Sequence, residues 1–172
     1  MARAMVAGYL GRAYTLSNRP ADAIAILKEA IDDAFGMEFM VDQALRLAHL
    51  GEAYLHAGYG DQAAAAAHRA LDSALHYRES GAQAWTEWLL GEIGSRAGRG
   101  EAPEDHYRKA IELASTRGMA PLLAHCHFGL GRDFRRAHDA HQAREHLVTA
   151  VKLYKALEMR FWLEPAEKLL SS

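Results

Sequence analysis

A leucine followed by glycine recurs along the chain at Leu10-Gly11, Leu50-Gly51, Leu90-Gly91 and Leu130-Gly131, an interval of 40 residues each time. Other hydrophobic and small positions keep the same phase. Four residues after each leucine stand Tyr14, Tyr54, Gly94 and Phe134. Thirteen after it come Ala23, Ala63, Pro103 and Ala143, and seven further on Ala30, Ala70, Ala110 and Ala150. A fixed period of this length marks stacked helical hairpins, in which small residues let helix axes approach and an aromatic ring fills the space between them. Eight residues after each leucine, Asn18, Gly58, Gly98 and His138 occupy a helix C-cap, because Gly, Asn and His tolerate left-handed backbone. Pro20, Asp61, Glu101 and Asp139 follow where a second helix begins, and Pro103 also suits a first turn.

The pattern L-G-x-x-Y on one helix and A-x-x-x-(large)-x-x-A on the next resembles the tetratricopeptide repeat. It predicts helices at about 3–17, 21–35, 39–57, 61–77, 81–97, 101–117, 120–137, 140–157 and 160–170. The chain is then one all-α domain over 1–172: a right-handed α-solenoid of four hairpins at about 3–38, 39–78, 79–118 and 119–158, with a capping helix at 160–170. Leu170 lies one further period after Leu130, so the last segment is a first helix that covers the open end. A minimal repeat has about 34 residues, and the surplus here lengthens the helices rather than the tight turn. The N-terminal end has no comparable cap, which suggests a piece of a longer array or an end covered by an oligomer. The third hairpin departs most from the pattern, with Gly94 for the aromatic and Pro103 for the small residue. Glu87 and His127 occupy a position that is usually bulky and apolar. The third hairpin is expected to pack least tightly.

Tyr107-Arg-Lys-Ala110, the run Arg117-Gly-Met-Ala-Pro-Leu-Leu-Ala-His-Cys-His-Phe-Gly-Leu-Gly131, Gln142-Ala-Arg-Glu-His-Leu147 and Glu158-Met-Arg-Phe-Trp-Leu163 follow in order. They resemble the C-terminal tetratricopeptide region of large bacterial signalling proteins, in which a class III adenylate/guanylate cyclase domain and a P-loop ATPase domain precede the repeats. The resemblance covers roughly residues 80–170 and implies a regulatory or partner-sensing role. It supplies no activity, since the chain has no GxxxxGK[ST] segment.

Composition narrows the classes. Half of the chain is hydrophobic with only 4 prolines, which suits a folded helical protein. A net charge of -2 gives no global field for nucleic acid or an anionic membrane. The single cysteine, Cys126, excludes an intramolecular disulfide and fits a reducing compartment; the expectation is a cytoplasmic protein. Cys126 reads as a buried packing thiol rather than a nucleophile, and the 10 histidines show no metal-ligand spacing, so no metal or cofactor is expected.

The tetratricopeptide resemblance implies that first helices line a concave groove, with its faces five and two residues before each leucine and two, five and six after it. This gives Met5, Gly8, Arg12, Thr15 and Leu16, then Leu45, Ala48, Glu52, Leu55 and His56. Trp85, Trp88, Glu92, Ser95 and Arg96 follow, then His125, Phe128, Arg132, Arg135 and Arg136. Trp85 and Trp88 are three apart, as are His125 and Phe128, so each pair shares a helix face. Aromatic anchors beside arginines have the composition of an interface hot spot, and arginine suits a partner carboxylate. The expected binding residues are Arg12, Glu52, His56, Trp85, Trp88, Glu92, Arg96, His125, Phe128, Arg132, Arg135 and Arg136. The expected partner is a protein or peptide, with acidic residues. Trp85 and Trp88 equally suit inter-repeat core, and the arginines a solvated surface. The leading reading is a non-enzymatic interaction scaffold. The alternative is a self-association element that dimerises its parent protein.

Overall fold

The computed structural model describes residues 2–36, 42–97 and 102–171, and among them every regular element is helical. The order is α1 (Ala2–Leu16), α2 (Pro20–Gly36), α3 (Gln43–His56), α4 (Gly60–His76), α5 (Ser80–Ala97), α6 (Pro103–Thr116), α7 (Ala120–Arg136), α8 (Ala140–Ala156) and α9 (Arg160–Ser171). The predicted elements match these spans to within a residue at their described ends, except that α6 begins at Pro103 rather than about 101; the expected start of α3 at 39 lies outside the described residues. The expected hairpin boundary at 38–39, Gly98 and Glu101 lie outside the described residues, as does the side chain of Met5.

Packing follows the repeat. Helices pair as α1 with α2, α3 with α4, α5 with α6 and α7 with α8, and each second helix also packs on the next first helix. The first helices touch one another in series, α1 on α3, α3 on α5 and α5 on α7, which makes them the inner wall of the solenoid. α9 closes the far end against α8.

The leucine-glycine pair has a steric reason. A Cβ on Gly11 would lie 2.4 Å from Leu27 Cγ, one on Gly91 2.8 Å from the Tyr107 ring, and one on Gly131 2.7 Å from Leu147 Cγ. Each of these glycines therefore receives the large residue that stands four after the small position of its second helix. In the second hairpin that residue is Ala67, and Leu89 of the following hairpin fills the space instead, 2.8 Å from a Cβ on Gly51. Ala30, Ala70, Ala110 and Ala150 are all buried where helix axes approach. Pro103 is half-buried at the first turn of α6.

The turns repeat at half the period. Asn18, Gly58 and His138 have positive φ, as the sequence predicts, but so do Arg78, Gly118 and Glu158 in the turns between hairpins. In each, the next N–H reaches back to a carbonyl five residues earlier, as in Tyr59 N–H to Tyr54 O and Glu79 N–H to Ala74 O. This closes the helix end in a Schellman motif. Asp139 then caps α8, its Oδ1 accepting from Gln142 N–H at 3.0 Å. These six turns are three residues each, between helices of 12 to 18 residues.

The irregular third hairpin is filled in one place and open in another. Tyr107 wedges between Gly91 and Gly129, where an added Cβ would meet its ring at 2.8 and 2.5 Å. Glu87, at the expected apolar position, accepts a hydrogen bond from His106 Nδ1–H at 2.7 Å in a buried pair. Gly94, by contrast, lines a cleft of about 580 Å³. Among the described residues the third hairpin also lines a second cleft, of about 330 Å³, at Ser80, Gly81, Ala82 and Arg117.

Candidate partner-binding groove

A recess of about 350 Å³ opens on the inner wall and runs from the end of α1 to the start of α9. Glu52, His56, Trp88, Glu92, Arg96, His125, Phe128 and Arg132 line it, together with Thr15, Leu16, Asn18, Phe161 and Trp162. Of the remaining expected residues, Arg12 reaches this group through Glu52 and Trp85 through Trp88, while Arg135 and Arg136 lie further along α7.

The floor is aromatic. Trp85 and Trp88 meet edge to face with centroids 5.6 Å apart, and both stand about one ring width from His125, at 6.1 and 5.8 Å. His125 also meets Trp162 at 5.3 Å and Tyr154 at 5.6 Å. Its Nδ1 lies 2.8 Å from the Tyr154 hydroxyl. Burial, aided by the charge of Arg12, pushes the His125 imidazole down to about 4, so it is neutral at pH 7 and behaves as one more ring of the cluster. Trp85 and Trp88 pack against the apolar cluster around Ala84 and Leu122, and Trp88 also faces the recess. The two alternatives for these tryptophans thus meet in one pair. Trp88 Nε1 is buried with no acceptor among the described residues.

The charges form a column along the repeat. Arg12, Glu52, Glu92 and Arg132 occupy one register position in successive hairpins. Arg12 pairs with Glu52 at 3.5 Å and lies 4.2 Å over the Trp85 ring, a cation–π contact. Arg132 grips Glu92 with both ends of its fork, at 3.2 and 3.1 Å, and also donates to Ser95 and Tyr107 hydroxyls at 3.0 Å. Tyr107 O–H in turn donates to Glu92 at 2.7 Å. Burial alone would lower the Arg132 guanidinium, but Glu92 and Tyr107 raise it above its ordinary value. Glu52, buried at the recess wall, is raised above the usual carboxylate range by burial, against the opposing pull of Arg12.

The other arginines also have internal acceptors. Arg96 donates to Leu55 O at 3.0 Å, Arg135 to Leu169 O in α9, and Arg136 to Ser95 Oγ at 3.1 Å. Arg96 and Arg136 are exposed, whereas Arg132 is only 21% exposed. The side chain of Arg132 is therefore committed to bracing α5 against α7.

Sequence reasoning missed Tyr107, Tyr154, Phe161 and Trp162. Trp162 stands at the register of Leu122, a core position, and only the packing of α9 brings it to His125. A second polar pair was also missed. His127 and His146, one period after Glu87 and His106, lie with Nδ1 atoms 2.9 Å apart, one ring donating to the other. Burial and the neighbouring ring push His127 down to about 4. Cys126 is buried and burial pushes its thiol well up, which disfavours the thiolate at neutral pH. No helix among the described residues is long and apolar enough to cross a membrane.

No family model matches the chain, and no curated protein does. Among solved structures the chain is similar to the Signal Transduction ATPase with Numerous Domains (STAND) protein with a tetratricopeptide repeat sensor from Pyrococcus horikoshii. The likeness has a TM-score of 0.74 at 15% identity, and covers 98% of this chain and 26% of that one. The chain thus spans about a quarter of that protein's length. With the 40-residue period, the paired helices and this likeness, the fold is an α-solenoid of four tetratricopeptide-like hairpins closed by a C-terminal capping helix.

Proposed function

We propose that the chain is a non-enzymatic interaction module that docks a partner segment in the inner-wall recess. The observation that carries this reading is the aromatic floor, built from α5, α7 and α9 and open to the recess at Trp88, Phe128 and Phe161. Phe161 is 69% exposed, a large ring held at the mouth with nothing covering it among the described residues. Anchors of this kind carry most of the affinity in protein interfaces.

The charge column refines the expected partner. Arg12 and Arg132 already have carboxylates, so a partner acid would meet Arg96 rather than Arg132. The occupant is a short segment with an apolar or aromatic anchor and an acidic residue beside it. A role within a larger signalling protein is supported by the solved neighbour, a signal-transduction ATPase with a tetratricopeptide repeat sensor; a bacterial source rests on the sequence resemblance alone. An attached cyclase domain rests on the sequence resemblance alone. Cytoplasmic placement rests on the single cysteine.

The test is capture of the partner from the source cell with wild-type chain, Trp88→Ala, Phe128→Ala and Arg96→Glu. Loss of one captured protein in all three variants, each still helical by circular dichroism, supports docking in the recess. Equal capture by all would sink the assignment. Arg132→Glu is a poor probe, because it sets two carboxylates against each other inside the fold.

A second reading, self-association, is favoured by the N-terminal face. Val6, Tyr9 and Leu10 are 62%, 63% and 37% exposed, whereas Leu50, Leu90 and Leu130, the register equivalents of Leu10, are buried. A monomer by light scattering at high micromolar concentration counts against it.

A further inference from the structure

Glu52 and Glu92 stand one period apart on the wall of the recess, and the fold answers them unequally. Glu92 receives both ends of the Arg132 fork and the Tyr107 hydroxyl. Glu52 has Arg12 Nε at 3.5 Å, a contact too loose for a full hydrogen bond, and no closer donor among the described residues. Its side chain is nevertheless only 7% exposed. A buried carboxylate short of donors is costly unless something in the recess donates to it.

The space beside Glu52 suits one planar group. Arg12 crosses from the first hairpin to lie 4.2 Å over Trp85 in the third, so the inner wall is filled at that level. Below it, Trp88, Phe128, Phe161 and Trp162 line the recess, with Leu16 at the end of α1. Its volume of about 350 Å³ lies near the lower end of small-molecule sites, and a cavity of about 150 Å³ already holds benzene. That is room for a bicyclic ring rather than for a segment lying lengthwise. Around it the guanidiniums of Arg12, Arg96 and Arg132 outnumber the carboxylates of Glu52 and Glu92, which disfavours a cationic donor. A neutral ring N–H meets all of these conditions.

We propose that the docked anchor is a tryptophan side chain, its indole N–H donated to the Glu52 carboxylate and its ring set against the aromatic floor. The proposal rests on docking in the recess and makes Glu52 the residue that selects an indole over other rings. A ring of the same shape without the donor leaves the carboxylate unmet, and a buried polar group discriminates between ligands in this way.

The probe is N-acetyltryptophanamide, titrated into the uniformly ¹⁵N-labelled chain. The comparison is its benzothienyl isostere, in which sulfur replaces the ring N–H. All 3 tryptophans of the chain belong to the floor, so their indole N–H signals report on the recess. The expected result is saturable movement at Trp88 and Trp162 with a midpoint in roughly the millimolar range, and about tenfold weaker binding of the isostere. Glu52→Ala should bring the two midpoints together, whereas Glu52→Gln keeps an acceptor oxygen and should retain part of the difference. A purely structural Glu52 would weaken both probes alike. No saturation, or equal midpoints for the two probes in the wild type, overturns the proposal, and that comparison needs no variant to fold. Docking is judged separately. Partner capture lost in Trp88→Ala alongside equal probe midpoints would keep docking and strike the indole; discrimination between the probes with unaltered capture would keep the indole site and strike docking.

Discussion

Tyr107 shows how much one side chain organises here. Its ring fills the gap left by Gly91 and Gly129, and its hydroxyl ties Glu92 and Arg132 together. Gly129→Ala should cost about 1–3 kcal/mol in urea unfolding, since the added methyl has nowhere to go. Tyr107→Phe keeps the ring and removes hydrogen bonds to a charged pair, and should also cost about 1–3 kcal/mol. The sequence marks this position only as the large residue of its helix, and nothing in its spacing announces the hydroxyl's partners. Histidines provide a second residue-scale prediction. His49 and His125 are both depressed to about 4 by burial, from an ordinary value of 6.5. Between those values the unfolded chain takes up protons that the folded chain does not, so stability is full above about 6.5 and falls as pH drops toward 4. Urea midpoints measured across that window should decline, and His125→Phe should flatten the decline. An unaltered slope in that variant would contradict the neutral, buried assignment.

At the scale of elements, the turns carry the clearest lesson. Asn18, Gly58 and His138 were legible as left-handed positions because those residue types accept positive φ. Arg78 and Glu158 were not, because neither favours it; the equal three-residue turns between long helices impose the conformation. Substitution by glycine should separate the two classes. Arg78→Gly and Glu158→Gly relieve backbone crowding of the kind that costs roughly 1–2 kcal/mol, offset in part by the entropy of the unfolded chain. Each should raise the melting temperature, whereas Gly58→Ala should lower it. The polar pairs belong to this scale too. Glu87–His106 and His127–His146 hold corresponding sites of neighbouring hairpins, and the sequence register had flagged Glu87 and His127 as anomalies without revealing what answers them.

For the whole molecule, the period itself specified the solenoid, since each hairpin can bury its apolar faces only against the next. The inner face was legible as well: the three-residue spacings of Trp85 with Trp88 and His125 with Phe128 placed those rings together. Their arrangement about Trp162 was not, because α9 docks through tertiary packing that no register describes. That Arg12 and Arg132 have carboxylate partners within the chain went unread for a related reason. Arg12, Glu52, Glu92 and Arg132 fall in one column at the repeat interval, and that alternation of charge was the available sign that they pair with each other. For the proposed docking, the recess offers an aromatic floor with the exposed guanidinium of Arg96 at its wall.

The most direct measurement is calorimetric titration of the captured partner segment into wild-type chain, Trp88→Ala, and Tyr77→Ala as a control on another exposed ring. Docking in the recess predicts at least tenfold weaker binding for Trp88→Ala and no change for Tyr77→Ala, with both variants melting cooperatively. Equal affinity for wild type and Trp88→Ala would contradict it.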